Sequence, residues 1–80
     1  MGANFFFDKL LPAADTEARK VPGSQRQVEI FTHGDGLWLR VGLLDEEHQG
    51  QGFTVEFTKS AAAELAEGLD RAMHYFGYKK

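Results

Sequence analysis

The feature that most constrains this fold is a stretch of alternating side chains on both sides of the segment 33–36, which reads His-Gly-Asp-Gly. Gly and Asp tolerate the backbone conformations of tight hairpin connections, so this segment predicts a reversal between two strands. If Thr32 pairs with Leu37 across the turn, the resulting antiparallel register places each side chain of the two strands beside a matching neighbour on the same face. One face then carries the pairs Ile30 with Leu39 and Val28 with Val41, and the other carries Phe31 with Trp38 and Glu29 with Arg40.

The same reasoning gives three strands, at about residues 26–32, 37–44 and 52–58. The third alternates apolar Phe53, Val55 and Phe57 with polar residues after a polar loop at 45–51. Pairing Leu43 with Phe53 places all three apolar side chains on the same face as Leu39 and Val41. This register also predicts that Arg40 lies opposite Glu56 on the other face.

From residue 59 to residue 76 the apolar spacing changes to three and four, which predicts an amphipathic helix. Thr58 or Ser60 is the candidate N-cap, and Gly77 is the expected stop. The predicted apolar stripe consists of Ala62, Leu65, Ala66, Leu69, Met73 and Phe76. We expect it to cover the sheet in one core with Leu39, Val41, Val55 and Phe57.

The first 25 residues are interpreted as an N-terminal arm and linker. The apolar patch Phe5-Phe6-Phe7 fits a short helix capped by Asn4, or an edge strand, and Pro12 ends either one. The sequence leaves this choice open. The polar stretch 13–26 is typical of a linker. Three neighbouring Phe side chains are costly to expose, so we expect the patch to dock on something.

The fold class predicted is therefore α+β: a three-stranded antiparallel meander with one C-terminal helix packed on one face, preceded by an N-terminal arm. We divide the chain into residues 1–25, the arm and linker, and residues 26–78, the β-β-β-α domain. Eighty residues form a single domain with a thin core, a size at which self-association is a common source of stability.

Composition narrows the classes of function. The formal charge of −3 offers no general attraction to nucleic acid or to an anionic membrane. The chain has no cysteine, which fits a reducing cytoplasm, and no long apolar run, so we expect neither signal peptide nor membrane span. No nucleophile–base pattern or cofactor motif is visible, so we expect no enzyme, no cofactor and no metal.

The only geometrically allowed metal or acid–base cluster combines Glu46 and His48 with His74. The loop 45–51 and the end of the helix are expected at the same end of the sheet. Because their spacing matches no ligand motif, solvated turn residues are the favoured interpretation, and a small-molecule or metal site there is a second alternative function.

The surface that calls for explanation is the sheet face opposite the helix, here called the aromatic face, with Phe31 and Trp38 beside a charge ladder. Such a face can simply stabilise the sheet, can be covered by the N-terminal arm, or can bind another protein chain. The first two interpretations remain open beside the third. The candidate partner-binding residues are Phe31, Trp38, Arg40, Glu29, Glu56, Phe5, Phe6 and Phe7.

We therefore expect a small cytoplasmic interaction module, a bacterial or phage protein, that binds a partner protein or forms a homodimer. The alternative is a single-stranded nucleic-acid binder that uses Phe31, Trp38 and Arg40. In the order of its elements over residues 26–76, the chain loosely resembles the PC4-like coactivator domains, which bind single-stranded DNA as dimers. The resemblance carries no specific motif residue, and the acidic balance of this chain departs from it.

Overall fold

A computed structural model describes residues 2–44 and 52–78. Four antiparallel strands form one sheet in the order β1-β2-β3-β4, and a helix follows the last strand. The α+β class, the meander and the C-terminal helix are therefore confirmed. The elements are β1 (Asn4–Pro12), a 3₁₀ helix (Ala18–Lys20), β2 (Gln25–His33), β3 (Gly36–Leu44), β4 (Phe53–Phe57) and α1 (Lys59–Tyr75).

The central hairpin has the predicted register, with Thr32 opposite Leu37 and Phe31 opposite Trp38. Only Gly34 and Asp35 lie between the last paired residues of the two strands, and Gly34 takes the left-handed φ of 62° that favours glycine. Two faces result. The helix face carries Val28, Ile30, Leu37, Leu39, Val41, Phe53, Val55 and Phe57, and the aromatic face is its reverse.

The register predicted between β3 and β4 is wrong by two residues. Phe53 lies opposite Val41 instead of Leu43, and Glu56 lies opposite Trp38 instead of Arg40. The faces are nevertheless as predicted, because a shift of two residues returns every side chain to the same side of the sheet. Alternation alone therefore cannot distinguish the two registers.

A bulge at the far end of the hairpin explains why Leu43 is not an inward residue. Between the pairs Val28–Val41 and Arg26–Leu44, β3 contains one more residue than β2. The extra residue turns the following side chain to the opposite face. As a result Leu44 is 1% exposed, whereas Leu43 is 42% exposed.

The N-terminal arm forms the fourth strand, β1, which resolves the open choice between helix and strand. It pairs with β2 from Asn4 to Pro12, with a bulge at Phe6 between the pairs Phe5–Phe31 and Phe7–Ile30. The bulge sends Phe5 to the aromatic face and Phe7 to the helix face. Phe6 itself is largely exposed.

The predicted linker is an ordered connection between β1 and β2. The backbone N–H of Ser24 donates to the carbonyl of Val21 at 3.0 Å, and Gly23 between them has a φ of 79°. With Pro22 before it, this is a type II turn. The 3₁₀ helix buries Ala18, one of three fully buried apolar residues among the described ones, together with Phe31 and Leu44.

Local chemistry accounts for both ends of α1. The hydroxyl of Thr58 accepts a hydrogen bond from the backbone N–H of Ala61, so Thr58 is the N-cap. At the other end, the N–H groups of Gly77 and Tyr78 donate to the carbonyls of His74 and Met73, with Gly77 at a φ of 73°. This is a Schellman motif, and it confirms Gly77 as the stop.

The single core predicted between helix and sheet is not closed. None of the described residues of β4 and α1 is fully buried. Leu65 and Leu69 on the helix are 46% and 59% exposed, and Val55 on the sheet is 43% exposed. The stripe has the predicted direction, but the two layers bury each other only in part.

Candidate protein-binding surface

The aromatic face is organised in rows that cross the sheet. One row runs through Phe5, Phe31, Trp38 and Glu56, one residue from each strand. The rings of Phe5 and Phe31 stack with their centroids 5.2 Å apart and an interplanar angle of 30°. This stacking and the position of Arg40, whose Cζ lies 4.9 Å from the centre of the Phe31 ring, leave Phe31 only 9% exposed.

The next row places one cation among carboxylates, with Asp8, Glu29 and Arg40 on successive strands. The guanidinium of Arg40 donates to the carboxylate of Glu29, and this hydrogen bond raises the pKa of Arg40. Asp8 in turn accepts a hydrogen bond from the amide of Gln27. The single arginine of this row is therefore neutralised by its own neighbours.

Trp38 is half-buried and held by its own chain. Its indole Nε1 donates to the carbonyl of His33 at 3.4 Å. A Cβ at Gly36 would lie 2.8 Å from this same Nε1 and 2.8 Å from a carboxylate oxygen of Glu56. The indole therefore packs closely over the backbone at position 36, and that close approach requires glycine.

The predicted partner-binding residues do not form one surface. Glu29, Phe31, Trp38, Arg40, Glu56 and Phe5 lie on the aromatic face, where Phe31 is already covered. Phe7 pairs with Ile30 on the opposite face, and Phe6 projects from the bulge of an edge strand. Whether these residues bind a partner stays a prediction.

An open apolar surface lies on the helix face, which the sequence analysis assigned to the core. An open groove of about 240 Å³ separates α1 from the sheet. Its lining residues are all uncharged: Ile30, Leu37, Phe57, Ala62, Leu65, Ala66 and Leu69. We call this groove, together with exposed Phe53 and Val55 beside it, the docking face.

One signal in the sequence could have indicated that the groove stays open. Two of the helix positions that point at the sheet are alanines, Ala62 and Ala66, and both line the groove. A methyl group fills little of the space between a helix and a sheet, and well-filled interiors leave few gaps of this kind. Leu65 and Leu69 alone do not close the gap.

The predicted Glu46, His48 and His74 cluster can be placed only in part. Glu46 and His48 lie outside the described residues, and His74 is exposed in the last turn of α1. Within residues 2–44 and 52–78, no three His, Cys, Asp or Glu side chains are grouped so that they could hold a metal ion.

Comparison with known proteins gives no match to a family model, to a curated protein or to a solved structure. Across the described part of the chain, no helix has the length and apolar character needed to cross a membrane.

Proposed function

We propose that this protein is a small interaction module that binds another polypeptide through the docking face. One observation carries the proposal: four large apolar side chains, Phe53, Val55, Leu65 and Leu69, gather on one side of the molecule, each more than 40% exposed. Contiguous apolar surface of this kind marks binding sites in folded proteins, whereas scattered apolar residues do not.

The overall dimensions support the same proposal. The accessible surface is 6446 Å², compared with roughly 4,800 Å² for a compact monomer of 8.9 kDa. The radius of gyration is 14.4 Å, compared with about 12 Å for a compact domain of this length.

The nucleic-acid alternative has weaker support. Single-strand binders combine exposed rings with cationic grooves. On the aromatic face of this chain, Phe31 is covered by Phe5, and Arg40 is paired with Glu29. We propose that the protein acts by binding another protein, without catalysis, and in the cytoplasm, in keeping with its lack of cysteine.

The test compares Leu69→Glu with Phe6→Glu. Both replace an exposed apolar side chain by a carboxylate, but only Leu69 belongs to the docking face. Far-UV circular dichroism establishes that each variant folds. Sedimentation and affinity capture with the full chain then measure association with itself or with a stoichiometric partner. We expect Leu69→Glu to abolish that association and Phe6→Glu to preserve it.

Two results would overturn the proposal. In one, the wild-type chain associates neither with itself nor with a stoichiometric partner. In the other, Leu69→Glu binds as well as the wild type. A partner lost only on substitution of Trp38 would instead place the binding site on the aromatic face.

A further inference from the structure

The two edges of the sheet differ in how they are protected from pairing with another strand. β1 carries a bulge at Phe6, the charged pair Asp8 and Lys9, and a terminal proline, Pro12. Bulges, charges and proline are the devices by which natural sheets prevent edge-to-edge association. The edge at β1 is therefore protected from pairing with another strand by three separate features.

Of these devices, β4 carries only one charge, Glu56, along its described residues. Its sequence is Phe-Thr-Val-Glu-Phe, with no proline and no lysine, and its pairing with β3 continues without a register shift from Phe53 to Phe57. The strand is also largely exposed. It therefore presents a short, regular row of unpaired backbone groups at the border of the docking face.

We propose that the occupant of this edge is a second copy of the chain, with β4 pairing antiparallel to β4 of the partner subunit about a two-fold axis at Val55. This inference rests on the proposed function, because it names the partner of the docking face. The sheets of the two subunits then form one continuous eight-stranded sheet. Isologous pairing of this kind is the commonest form of homodimer.

The composition of β4 suits pairing with itself in this register. On the helix face, Phe53 meets Phe57 of the partner subunit and Val55 meets Val55 of the partner subunit, so every contact is apolar. On the aromatic face, Glu56 meets Thr54 of the partner subunit and never the other Glu56. The symmetric register therefore brings no like charges together, which would weaken a cross-strand pair.

Charge also favours a second copy over a partner of opposite charge. Every residue lining the groove is uncharged, so the docking face offers no complementary charge by which a strongly acidic or basic partner would be selected. The net charge of −3 on each subunit produces only general repulsion, which salt screens. The affinity of the dimer should therefore increase or stay constant as the salt concentration rises, whereas the affinity of a complex with nucleic acid would fall.

The absence of native cysteine permits a direct test of the register. Antiparallel neighbours directly opposite each other have Cα atoms about 4.5–5.5 Å apart, within the range of about 4.4–6.8 Å that a disulfide spans. A Val55→Cys chain should therefore cross-link to itself under mild oxidation. The matched control is Lys9→Cys, which places the thiol on the protected edge strand β1.

We expect Val55→Cys to form a disulfide dimer at least tenfold faster than Lys9→Cys, and Leu69→Glu in the same chain to remove that advantage. Equal rates for the two thiols would overturn the inference. If the wild type still sediments as a dimer that Leu69→Glu dissociates, equal rates overturn the β4 register alone and leave the proposed function standing. A monomeric wild type that binds a different stoichiometric partner overturns the second copy as the occupant.

Discussion

The N-terminal and C-terminal regions of this chain form opposite edges of the sheet, and they differ in how well their side chains are packed. The N-terminal half pairs β1 and β2 over nine residues each, stacks Phe5 on Phe31, and buries Ala18 beneath an ordered connection. The C-terminal third consists of a five-residue strand and a helix, and none of its described residues is fully buried.

The difference shows which region of the chain packs its side chains without help from another polypeptide. Long antiparallel pairing satisfies backbone groups and brings side chains into contact without help from a second layer. The C-terminal third depends on a second layer, and α1 with its small Ala62 and Ala66 supplies only part of one. We infer that another polypeptide covers apolar side chains that α1 leaves exposed.

The largest expected effect separates two phenylalanines of the two regions. Phe31→Ala removes a ring that is 9% exposed and should cost about 3–5 kcal/mol of unfolding free energy. Phe53→Ala removes a ring that is 58% exposed and should cost about 1 kcal/mol or less in dilute solution, where the chain is not associated. Urea unfolding measures both, and similar losses for the two variants would remove the basis of the comparison.

Two glycines at the C-terminal end should respond in opposite directions. Ala at Gly77 must adopt a φ of 73°, so Gly77→Ala should cost about 1 kcal/mol. Gly68 lies inside α1, and a Cβ there would meet nothing within 4 Å, so Gly68→Ala should stabilise the monomer by up to about 1 kcal/mol. Thermal melts check both signs, and destabilisation by Gly68→Ala would show that another chain packs closely against this turn of the helix.

The smallest effect concerns an ion pair in the β1–β2 connection, between exposed Asp15 and largely covered Arg26. Two of the three guanidinium nitrogens of Arg26, Nε and Nη2, donate to the carboxylate of Asp15 at 2.9 Å, and this bonding lowers the pKa of Asp15 to about 2. Because the folded value lies below the ordinary 3.8, the contribution of Asp15 is complete above about pH 4 and is lost as pH falls towards about 2.

Asp15→Asn should therefore flatten the pH dependence of stability between about pH 4 and about pH 2. The matched control is Asp35→Asn, at an exposed carboxylate in the β2–β3 turn. Urea midpoints at the two ends of this pH interval provide the measurement. If the wild type and Asp15→Asn lose the same stability on acidification, the ion pair does not hold the connection.

The sequence correctly predicted those elements for which only one arrangement matches the pattern of side chains. The register of β2 with β3 follows from side-chain matching around the turn at Gly34, and the end of α1 follows from Gly77. The start of α1 was predicted only as Thr58 or Ser60, and the structure selects Thr58. The register of β4 could not be chosen in the same way, since Phe53 suits either Val41 or Leu43. The bulges at Phe6 and near Leu43 could not be predicted either, because one extra residue in a strand leaves no signature in composition.

The candidate site was harder to predict than the fold. Matching of Phe31 with Trp38 correctly placed aromatic side chains on one face, but the pattern left open whether the N-terminal arm covers that face, as Phe5 of β1 does at Phe31. Conversely, the periodicity of Leu65 and Leu69 indicates only the direction they face. How closely a helix approaches a sheet depends on the whole set of opposing side chains, which periodicity does not measure.

Amide hydrogen exchange on the two edge strands tests the central claim most directly. In an edge strand, alternate N–H groups point away from the sheet and exchange readily unless another strand pairs with them. We predict that outward amides of β4 gain protection as protein concentration rises, whereas those of β1 do not change. Outward β4 amides that exchange equally fast at every concentration, or protection that rises at β1 instead, would contradict the account.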